Sequence, residues 1–193
     1  MKDNNKNKWE NHYQSCTDNF PSAAEVLSIN QHLLPKKAIA LDLACGRGAN
    51  AICLAENNLN THAWDISSSA LELLVKQAKK KSLTINTETR DVSANPPNAN
   101  SFDIVVVSRF LDRSIIDAIK SAVKRNGLIF YQTFTKEKVN TSGPSNPEYL
   151  LDKNELLHFF DDWNILFYKE EGLTGNINLG SRNQAMIVAQ NNS

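Results

Sequence analysis

The residues best suited to chemistry in this chain are two glycines and a carboxylate. Residues 40–50 read Ala-Leu-Asp-Leu-Ala-Cys-Gly-Arg-Gly-Ala-Asn, and Asp65 follows Gly48 by 17 positions. Glycines at 46 and 48 let the backbone approach a ligand closely, and a helix that begins there directs unpaired N–H groups at it. A carboxylate that ends the next apolar run can accept two hydrogen bonds from a ribose diol. This spacing predicts a nucleoside-binding α/β domain.

Alternating apolar and helical segments are expected to hold these residues in place. Apolar runs predict five strands, at 38–43, 61–65, 84–90, 102–107 and 128–134. The fourth run is continuously apolar, which is typical of a buried parallel strand. Between the strands, helices are predicted over 47–57, over 67–80 with Ser67 or Ser68 as N-cap, and over 114–124, where Asn126-Gly127 ends the helix.

The pattern changes in the last third of the chain. Residues 136–151 are polar and contain Gly143, Pro144 and Pro147, which predicts a functional loop. A helix over 153–160 and strands over 164–170 and 184–189 follow. Because no helical pattern separates these two strands, we expect an antiparallel hairpin, which completes a mostly parallel seven-stranded sheet.

The first 36 residues are predicted to form a helical extension. Residues 1–8 are expected to be disordered or frayed, and 9–15 to form a short helix. Pro21 is expected to begin a second helix that runs to about Leu34, where Pro35 ends it. The run from Trp9 to Tyr13, which includes His12, is a candidate lid over the site.

Composition restricts the class of protein. The 193 residues, 41% of them hydrophobic, suit one domain, and the 21 basic residues balance the 21 acidic ones. A nucleic-acid binder usually carries a basic surplus, so we expect a small-molecule substrate instead. The first eight residues do not resemble a signal peptide, and no apolar stretch approaches the ~20 residues that span a membrane.

Cys16, Cys45 and Cys53 lack metal-ligand spacing. We therefore expect a cytoplasmic protein with reduced thiols, no metal and no membrane partner, in an oligomeric state that the sequence leaves open.

Two further carboxylates, and two residues that directly follow a carboxylate, are candidates for the site. Asp42 can orient the glycine turn or accept a hydrogen bond from a cationic amine, or it can simply form the turn. Ile66, after Asp65, would flank an adenine ring. Asp91 can accept from the exocyclic amine of adenine while the Val92 N–H donates to the ring, and the alternative is a capping Asp in a polar loop.

Two arginines follow the fourth predicted strand. Ligands of open α/β sheets lie beyond the carboxyl ends of the strands, so Arg109 and Arg113 are candidates for holding an anionic substrate. If the first turn of the next helix contains both, they lie on one face. The alternative is surface salt bridges to Asp112 or Asp117.

Other motifs are weaker evidence of function. The stretch that begins at Ala44 half-fits a dinucleotide fingerprint, with alanine in place of the first glycine, so a nicotinamide-dependent oxidoreductase stays an alternative. Asn95-Pro96-Pro97 precedes the fourth strand and lacks a following aromatic residue, so we interpret it as an ordinary loop. The four histidines have no metal-binding spacing, and no Gly-x-Ser-x-Gly elbow is present.

Over about residues 9–190 the chain resembles the class I S-adenosylmethionine-dependent methyltransferases. The glycine-rich first motif, the acidic ends of the second and third strands, the Phe102-Asp103 run and the Asn126-Gly127 turn carry the resemblance. More narrowly, the chain resembles the tellurite-resistance-type branch of that family, on five pieces: Trp9…Tyr13, Leu-Ala-Cys-Gly-Arg-Gly-Ala-Asn, Tyr131-Gln-Thr-Phe134, Gly143-Pro-Ser-Asn-Pro147 and Asn154-Glu-Leu-Leu157.

The resemblance implies a fold and a cofactor. The fold is a Rossmann-like sheet in the order 3-2-1-4-5-7-6 with helices on both faces, residues 1–36 being a helical extension or lid and 37–193 the methyltransferase domain. The cofactor is S-adenosylmethionine, and its product is S-adenosylhomocysteine. The residues that the resemblance assigns to cofactor binding are Tyr13, Asp42, Ala44, Cys45, Gly46, Gly48, Asn50, Asp65, Ile66, Asp91, Val92 and Ser108.

The resemblance leaves the methyl acceptor undefined. No acid–base constellation stands out in the sequence, which favours a small-molecule acceptor that is a soft anion, such as a chalcogen oxyanion or a thiol. Arg109, Arg113 and His12 are the candidates on the acceptor side. A nicotinamide-binding Rossmann oxidoreductase and a non-catalytic binding protein of methyltransferase fold are the alternatives.

Overall fold

The computed structural model describes residues 2–16 and 19–192, with side chains from residue 6 onward. Its centre is a seven-stranded sheet in the order β3-β2-β1-β4-β5-β7-β6, which confirms the predicted fold class. The strands are β1 (Ile39–Leu43), β2 (Asn60–Asp65), β3 (Asn86–Thr89), β4 (Phe102–Ser108), β5 (Val123–Phe134), β6 (Asn164–Glu170) and β7 (Gln184–Gln190).

Helices cover both faces of this sheet. They are α1 (Lys2–Gln14), α2 (Glu25–Ser28), α3 (Ala49–Glu56), α4 (Ser68–Lys80), α5 (Ile116–Ala122) and α6 (Glu155–Phe159), with short 3-10 turns at Gln31–Leu33, Arg113–Ile115 and Pro147–Tyr149. The N-cap of α4 is Ser67, whose side chain accepts a hydrogen bond from the Ala70 N–H at 3.2 Å.

The apolar strands alternate their side chains between two cores. One core joins Val105, Ile129 and Ile187 to apolar residues of α5 and α6, and the other joins Ile104, Phe130 and Val188 to residues of α2 and α3. This period of two is what a sheet buried on both faces requires. β1 and β4 pair in parallel at its centre, so their carboxyl ends meet at one edge.

β7 runs antiparallel between β5 and β6, as the hairpin prediction requires. Its register sets Val188 opposite both Phe130 and Phe167. Since β5 is parallel to β4, the carboxyl end of β5 stays at the same edge as those of β1 and β4. That edge is where a ligand of an open α/β sheet is expected.

The N-terminal prediction is wrong over residues 2–8, because α1 already begins at Lys2. Residues 2–14 contain neither glycine nor proline, so a helix formed at 9–14 extends towards the N-terminus without a breaker. Contacts between α1 and α4 supply the tertiary support that a lone polar helix lacks. The predicted short helix over 9–15 is therefore the second half of a longer one.

The continuous helix predicted from Pro21 to about Leu34 is also wrong. Only α2 and one 3-10 turn form there, because side chains of the main domain capture the backbone. The Ala24 N–H donates to Asn50 Oδ1 and the Val26 N–H to Gln132 Oε1, each at 2.8 Å. Val26 and Leu27 are fully buried in the core that also contains Phe130.

The third predicted helix is shorter than expected. α5 ends at Ala122, and Val123 already pairs with Phe102 in the sheet, so Asn126-Gly127 lies inside β5 and does not end the helix. The register of β5 against β4 shifts between Phe102 and Ile104, and Asn126 takes a φ of 63° there. An asparagine tolerates this left-handed backbone better than most residues.

Within residues 2–16 and 19–192, no helix has both the length and the apolar character needed to cross a membrane.

Candidate active site

A cleft of about 560 Å³ opens at the carboxyl ends of the parallel strands. This volume lies within the range of small-molecule and cofactor sites. Residues at or just after the ends of β1, β2, β4 and β5 line it, namely Ala44, Asp65, Ser108 and Phe134. The cleft lies across β1 and β4. The strand order reverses between these two strands, since β2 and β3 follow on one side of β1, and β4 and β5 on the other.

The turn between β1 and α3 forms the floor of the cleft. Ala44, Gly46 and Gly48 all have left-handed backbones, with φ of 53°, 53° and 73°. A Cβ at Gly46 would lie 2.6 Å from the hydroxyl oxygen of Tyr13, and one at Gly48 would lie 2.5 Å from Leu74 Cδ1. Gly46 lines the cleft, whereas Gly48 is not among its lining residues and instead permits α3 to pack against α4.

Asp65 ends β2 beside this turn and is 6% exposed. Its Oδ2 accepts the Gly46 N–H at 2.7 Å and its Oδ1 the Ser67 N–H at 2.9 Å. Burial raises the pKa of this carboxyl, although hydrogen bonds from the N–H groups of Ser67, Gly46 and Ile66 oppose that shift. A carboxylate offers about four acceptor sites, so the group that shapes the turn keeps room for a hydrogen bond from a ligand hydroxyl. Ile66 lies next to it on the wall.

Asp91 and Val92 line the same side of the cleft. Asp91 Oδ1 accepts the N–H groups of Ser93 at 3.1 Å and Ala94 at 3.3 Å, which is the capping geometry of the alternative interpretation. Both bonds use Oδ1, which leaves Oδ2 for another donor. The carboxylate therefore shapes its loop and faces the cleft at once. We call the wall formed by Asp65, Ile66, Asp91 and Val92 the β2–β3 side.

Asp42 lies behind the wall of the cleft and is fully buried. Its Oδ2 accepts the Ala51 N–H at 3.0 Å and its Oδ1 accepts from Asn50 Nδ2 at 3.2 Å. Burial raises the pKa of Asp42 to about 8. Because Asp42 is not among the lining residues, its contacts fit the predicted role of orienting the turn and α3, and they do not fit direct contact with a ligand amine.

Asn50 connects three elements beneath the cleft. Besides its bonds to Asp42 and to Ala24 of the N-terminal segment, its Nδ2 donates to Ser108 Oγ at 2.9 Å at the end of β4. The side chain is 3% exposed, and its polar atoms are engaged by the protein. Asn50 and Ser108 line the cleft, and their mutual bond joins the start of α3 to the end of β4.

α1 lies over the cleft and contributes one aromatic face. Trp9, His12 and Tyr13 line the cleft, and the Trp9 and Tyr13 rings stack with centroids 6.0 Å apart. This is the arrangement expected of the candidate lid. Burial raises the pKa of the Tyr13 hydroxyl above its usual range.

Glu10 on the same helix attaches α1 to the start of α4. Its carboxylate accepts from Ser67 Oγ at 2.7 Å, Ser68 Oγ at 3.0 Å, and the Ser69 hydroxyl and N–H at 2.6 and 3.1 Å. The hydrogen bonds from the Ser69 and Ser67 hydroxyls lower the pKa of Glu10 to about 2. A negative charge here also interacts favourably with the helix dipole. This contact was not predicted. Three serines at a predicted helix start are the only sequence signal for it.

The two arginines predicted to hold an anion are separated in the structure, so the expectation that they share a helix face is wrong. Arg109 precedes the 3-10 turn, has a φ of 56° and lines the cleft. Arg113 Nε and Nη2 donate to Glu155 at 2.6 and 2.8 Å, and its Nη1 and Nη2 donate to the carbonyls of Glu148 and Leu150. Arg113 is outside the cleft lining and fastens the 136–151 loop to α6. Its salt-bridge partner is Glu155, and not the predicted Asp117.

Aromatic residues that the sequence analysis did not single out form the wall opposite the β2–β3 side. We call this wall the β4–β5 side, and it consists of Arg109, Phe110, Phe134, Pro144 and Tyr149. Two of them come from the 136–151 loop, which is the functional loop that the sequence predicts. The sequence signal for this wall is the position of aromatic residues after strands, and it can be recognised only when the strands are aligned in the sheet.

Of the predicted cofactor residues, all but Asp42 and Gly48 line the one cleft. Carboxylates lie on one side of a glycine turn and an aromatic wall on the other, which suits a nucleoside-bearing ligand. Among residues 2–16 and 19–192, no group of three or more histidine, cysteine, aspartate or glutamate side chains is placed to hold a metal ion.

Sequence comparisons identify relatives. The family model described as TehB, tellurite resistance protein TehB, matches residues 5–186. A probable S-adenosyl-L-methionine-dependent methyltransferase TehB of Haemophilus influenzae is 27% identical over 135 residues, which are 67% of this chain and 47% of that protein. A ubiquinone biosynthesis O-methyltransferase of Coxiella burnetii is 25% identical over 113 residues, or 56% of this chain and 48% of that one. The chain thus spans about half the length of the curated relatives it matches.

Comparison with solved structures agrees on the fold. The crystal structure of TehB from Haemophilus influenzae superimposes with a TM-score of 0.71 at 23% identity, covering 95% of this chain and 67% of that one. Because the family match extends over nearly the whole chain, this protein belongs to the TehB tellurite-resistance family, a branch of the class I S-adenosylmethionine-dependent methyltransferases.

Proposed function

We propose that this chain transfers the methyl group of S-adenosylmethionine to a small-molecule acceptor. One observation carries the proposal: the cleft at the strand ends has the Gly46 turn at its floor and the carboxylates of Asp65 and Asp91 on one wall. The names of the relatives support it, because the Haemophilus protein is described as a probable S-adenosyl-L-methionine-dependent methyltransferase.

The β2–β3 side fits the nucleoside end of this cofactor. Asp65 would accept hydrogen bonds from the ribose diol, and Ile66 would lie against the adenine ring. Asp91 Oδ2 would accept from the exocyclic amine, since both N–H donors of its own loop use Oδ1. The Val92 N–H would donate to the ring. These roles are supported by the position of Asp65, Ile66, Asp91 and Val92, which all line the cleft.

When bound, the cofactor supplies a methyl group that its sulfonium has already activated. The protein then contributes mainly proximity and alignment, which are worth up to ~7–11 kcal/mol in ideal cases. A soft anion such as a chalcogen oxyanion or a thiolate attacks without a general base. That choice agrees with the β4–β5 side, whose residues include neither a carboxylate nor an imidazole; the imidazole that lines the cleft is His12, on α1.

Calorimetry tests the cofactor. We expect S-adenosylhomocysteine to bind in the micromolar range, about −7 to −8 kcal/mol, and NAD not to bind. Asp91→Asn keeps Oδ1 for the loop but turns a donor towards the adenine amine, so it should weaken binding by about 1–3 kcal/mol. Asp117→Asn, at an exposed position of α5, is the matched control and should leave binding unchanged.

Two outcomes would contradict the proposal. NAD binding in place of S-adenosylhomocysteine would favour the oxidoreductase, and tight cofactor binding without turnover on any acceptor would favour a binding protein. Asp65→Ala is a less specific probe, because it also leaves the Gly46 and Ser67 N–H groups without an acceptor and so destabilises the turn.

A further inference from the structure

The two sides of the cleft differ in chemistry. The β2–β3 side presents the carboxylates of Asp65 and Asp91, with Arg90 beside them already bonded to its own loop, whereas the β4–β5 side presents Arg109 and three aromatic rings, those of Phe110, Phe134 and Tyr149. If the nucleoside occupies the first side, the second borders the place where an acceptor must enter. Its composition then describes the acceptor.

Arg109 is the cation of this wall. It is exposed, and among residues 2–16 and 19–192 no hydrogen bond or ion pair engages its guanidinium. Its backbone is fixed all the same: the Arg109 N–H donates to the Gln132 carbonyl at 2.8 Å, and its φ of 56° is uncommon for an arginine. Arg90, by contrast, donates to backbone carbonyls of its own loop, and Arg113 donates to Glu155 and to carbonyls of the 136–151 loop. A fixed backbone with a free guanidinium at a cleft is suited to an anionic ligand.

The aromatic wall is held in place by the 136–151 loop. Gly143 lies so close to Phe134 that a Cβ there would come within 2.5 Å of the ring. Buried Asn183 receives the Val139 N–H at 2.7 Å and donates to Asn140 Oδ1 at 2.6 Å, and Lys138 donates to the Pro144 carbonyl at 2.6 Å. The rings therefore form a built apolar surface beside the cation.

We propose that the acceptor is a small organic thiolate with an aromatic or otherwise apolar body, which Arg109 binds through its charge and the β4–β5 side covers through its rings. This inference rests on the proposed methyltransferase function and narrows its substrate. An inorganic oxyanion would pair with the guanidinium but would leave the neighbouring aromatic rings exposed to water. An apolar acceptor body would bury those rings, which is favourable.

The transfer balances without an added base or oxidant. A lone pair of the thiolate sulfur forms the new S–CH3 bond, and the electron pair of the breaking bond stays on the cofactor sulfur, which becomes a neutral thioether. One negative and one positive charge disappear together, and no proton moves. The methylated product no longer pairs with Arg109, which favours its release.

Turnover of the 193-residue chain with S-adenosylmethionine tests the inference. The probes are thiophenol, 2-mercaptoethanol and selenite, compared at equal concentrations of the anionic form, with S-adenosylhomocysteine and the methylated product measured by mass spectrometry. We expect kcat/KM for thiophenol to exceed that for 2-mercaptoethanol by about tenfold or more, in line with burial of a phenyl ring. Phe134→Leu should reduce this preference.

Arg109→Asn is the critical variant, because asparagine tolerates the left-handed backbone. It should lower kcat/KM for thiophenol about 10- to 100-fold while S-adenosylhomocysteine affinity changes less than about twofold. Arg109→Lys keeps the positive charge and should retain more activity than Arg109→Asn, although it lacks the planar fork of the guanidinium. Arg125→Gln, an exposed arginine near the opposite end of β5, is the matched control and should behave as the wild type.

The outcomes separate the inference from the function on which it rests. If S-adenosylhomocysteine does not bind, the proposed function itself fails. If it binds but selenite or 2-mercaptoethanol reacts as fast as thiophenol, if no probe is methylated, or if Arg109→Asn matches Arg125→Gln, the assignment of the acceptor is wrong and the cofactor site stands.

Discussion

At the scale of single residues, two glycines of the turn share a left-handed backbone conformation but have different structural roles. Gly46 and Gly48 both have positive φ, but Gly46 faces Tyr13 of α1 across the cleft, and Gly48 faces Leu74 in the core between α3 and α4. The first glycine keeps space near a ligand, and the second keeps space between helices.

Alanine substitutions should separate these purposes. Gly48→Ala should lower the free energy of unfolding by about 2–5 kcal/mol, because backbone strain adds to overpacking against Leu74. Gly46→Ala should cost only about 1–2 kcal/mol of backbone strain, since Tyr13 belongs to a helix that can shift. It should instead weaken S-adenosylhomocysteine binding. Urea melts and calorimetry measure the two effects, and equal destabilisation by both variants would refute the distinction.

At the scale of elements, α1 is held by its contact with α4 and not by a large core. The Glu10 carboxylate accepts from three serines in the first turn of α4, and the aromatic face of α1 covers the cleft. α1 and the helix after the ribose-binding candidate Asp65 are thus joined by one charged group.

Glu10→Gln should release α1. The folded pKa of Glu10 lies at about 2, below its ordinary 4.5, so the ionised contact is present at neutral pH and is lost only as pH falls from about 4.5 towards 2. Hydrogen exchange of residues 2–16 should therefore increase in Glu10→Gln and show no pH-dependent opening in the wild type between pH 7 and 5. Glu72→Gln, on the exposed face of α4, is the control. An opening transition centred near the ordinary value would show that the contact does not form.

At the scale of the whole molecule, the N-terminal region contains two kinds of segment. α1 lies on the surface, whereas the segment around α2 contributes fully buried Val26 and Leu27 to the core with Ile104 and Phe130. The domain boundary after residue 36 stays a prediction, and this packing favours grouping residues 23–34 with the sheet.

Two truncations test that grouping. A chain that begins at residue 17 should retain a cooperative thermal transition and lose cofactor affinity. A chain that begins at residue 37 should lose cooperative folding, because removing Val26 and Leu27 forfeits roughly 1.5–3 kcal/mol each and uncovers the sheet. Calorimetric melts of the two chains decide this. A cooperative transition in the shorter chain would support the boundary at 36.

The sequence alone determined the sheet, the turn and the β2–β3 side of the cleft. Apolar runs of strand length, separated by helical periods, left few arrangements, and the glycines with Asp65 and Asp91 marked strand ends that must meet at one edge. These are local signals, because the residues that carry them lie within one turn or one strand.

Only the tertiary structure decided which polar groups find each other. Asn50 and Gln132 take the N–H groups of Ala24 and Val26 and so replace a predicted helix, although over 25 residues separate each pair. Glu155, 42 positions along the chain, pairs with Arg113, while Arg109 stays at the cleft. A hydrogen bond between distant residues depends on where the packed core places their backbones, and no local pattern encodes that placement.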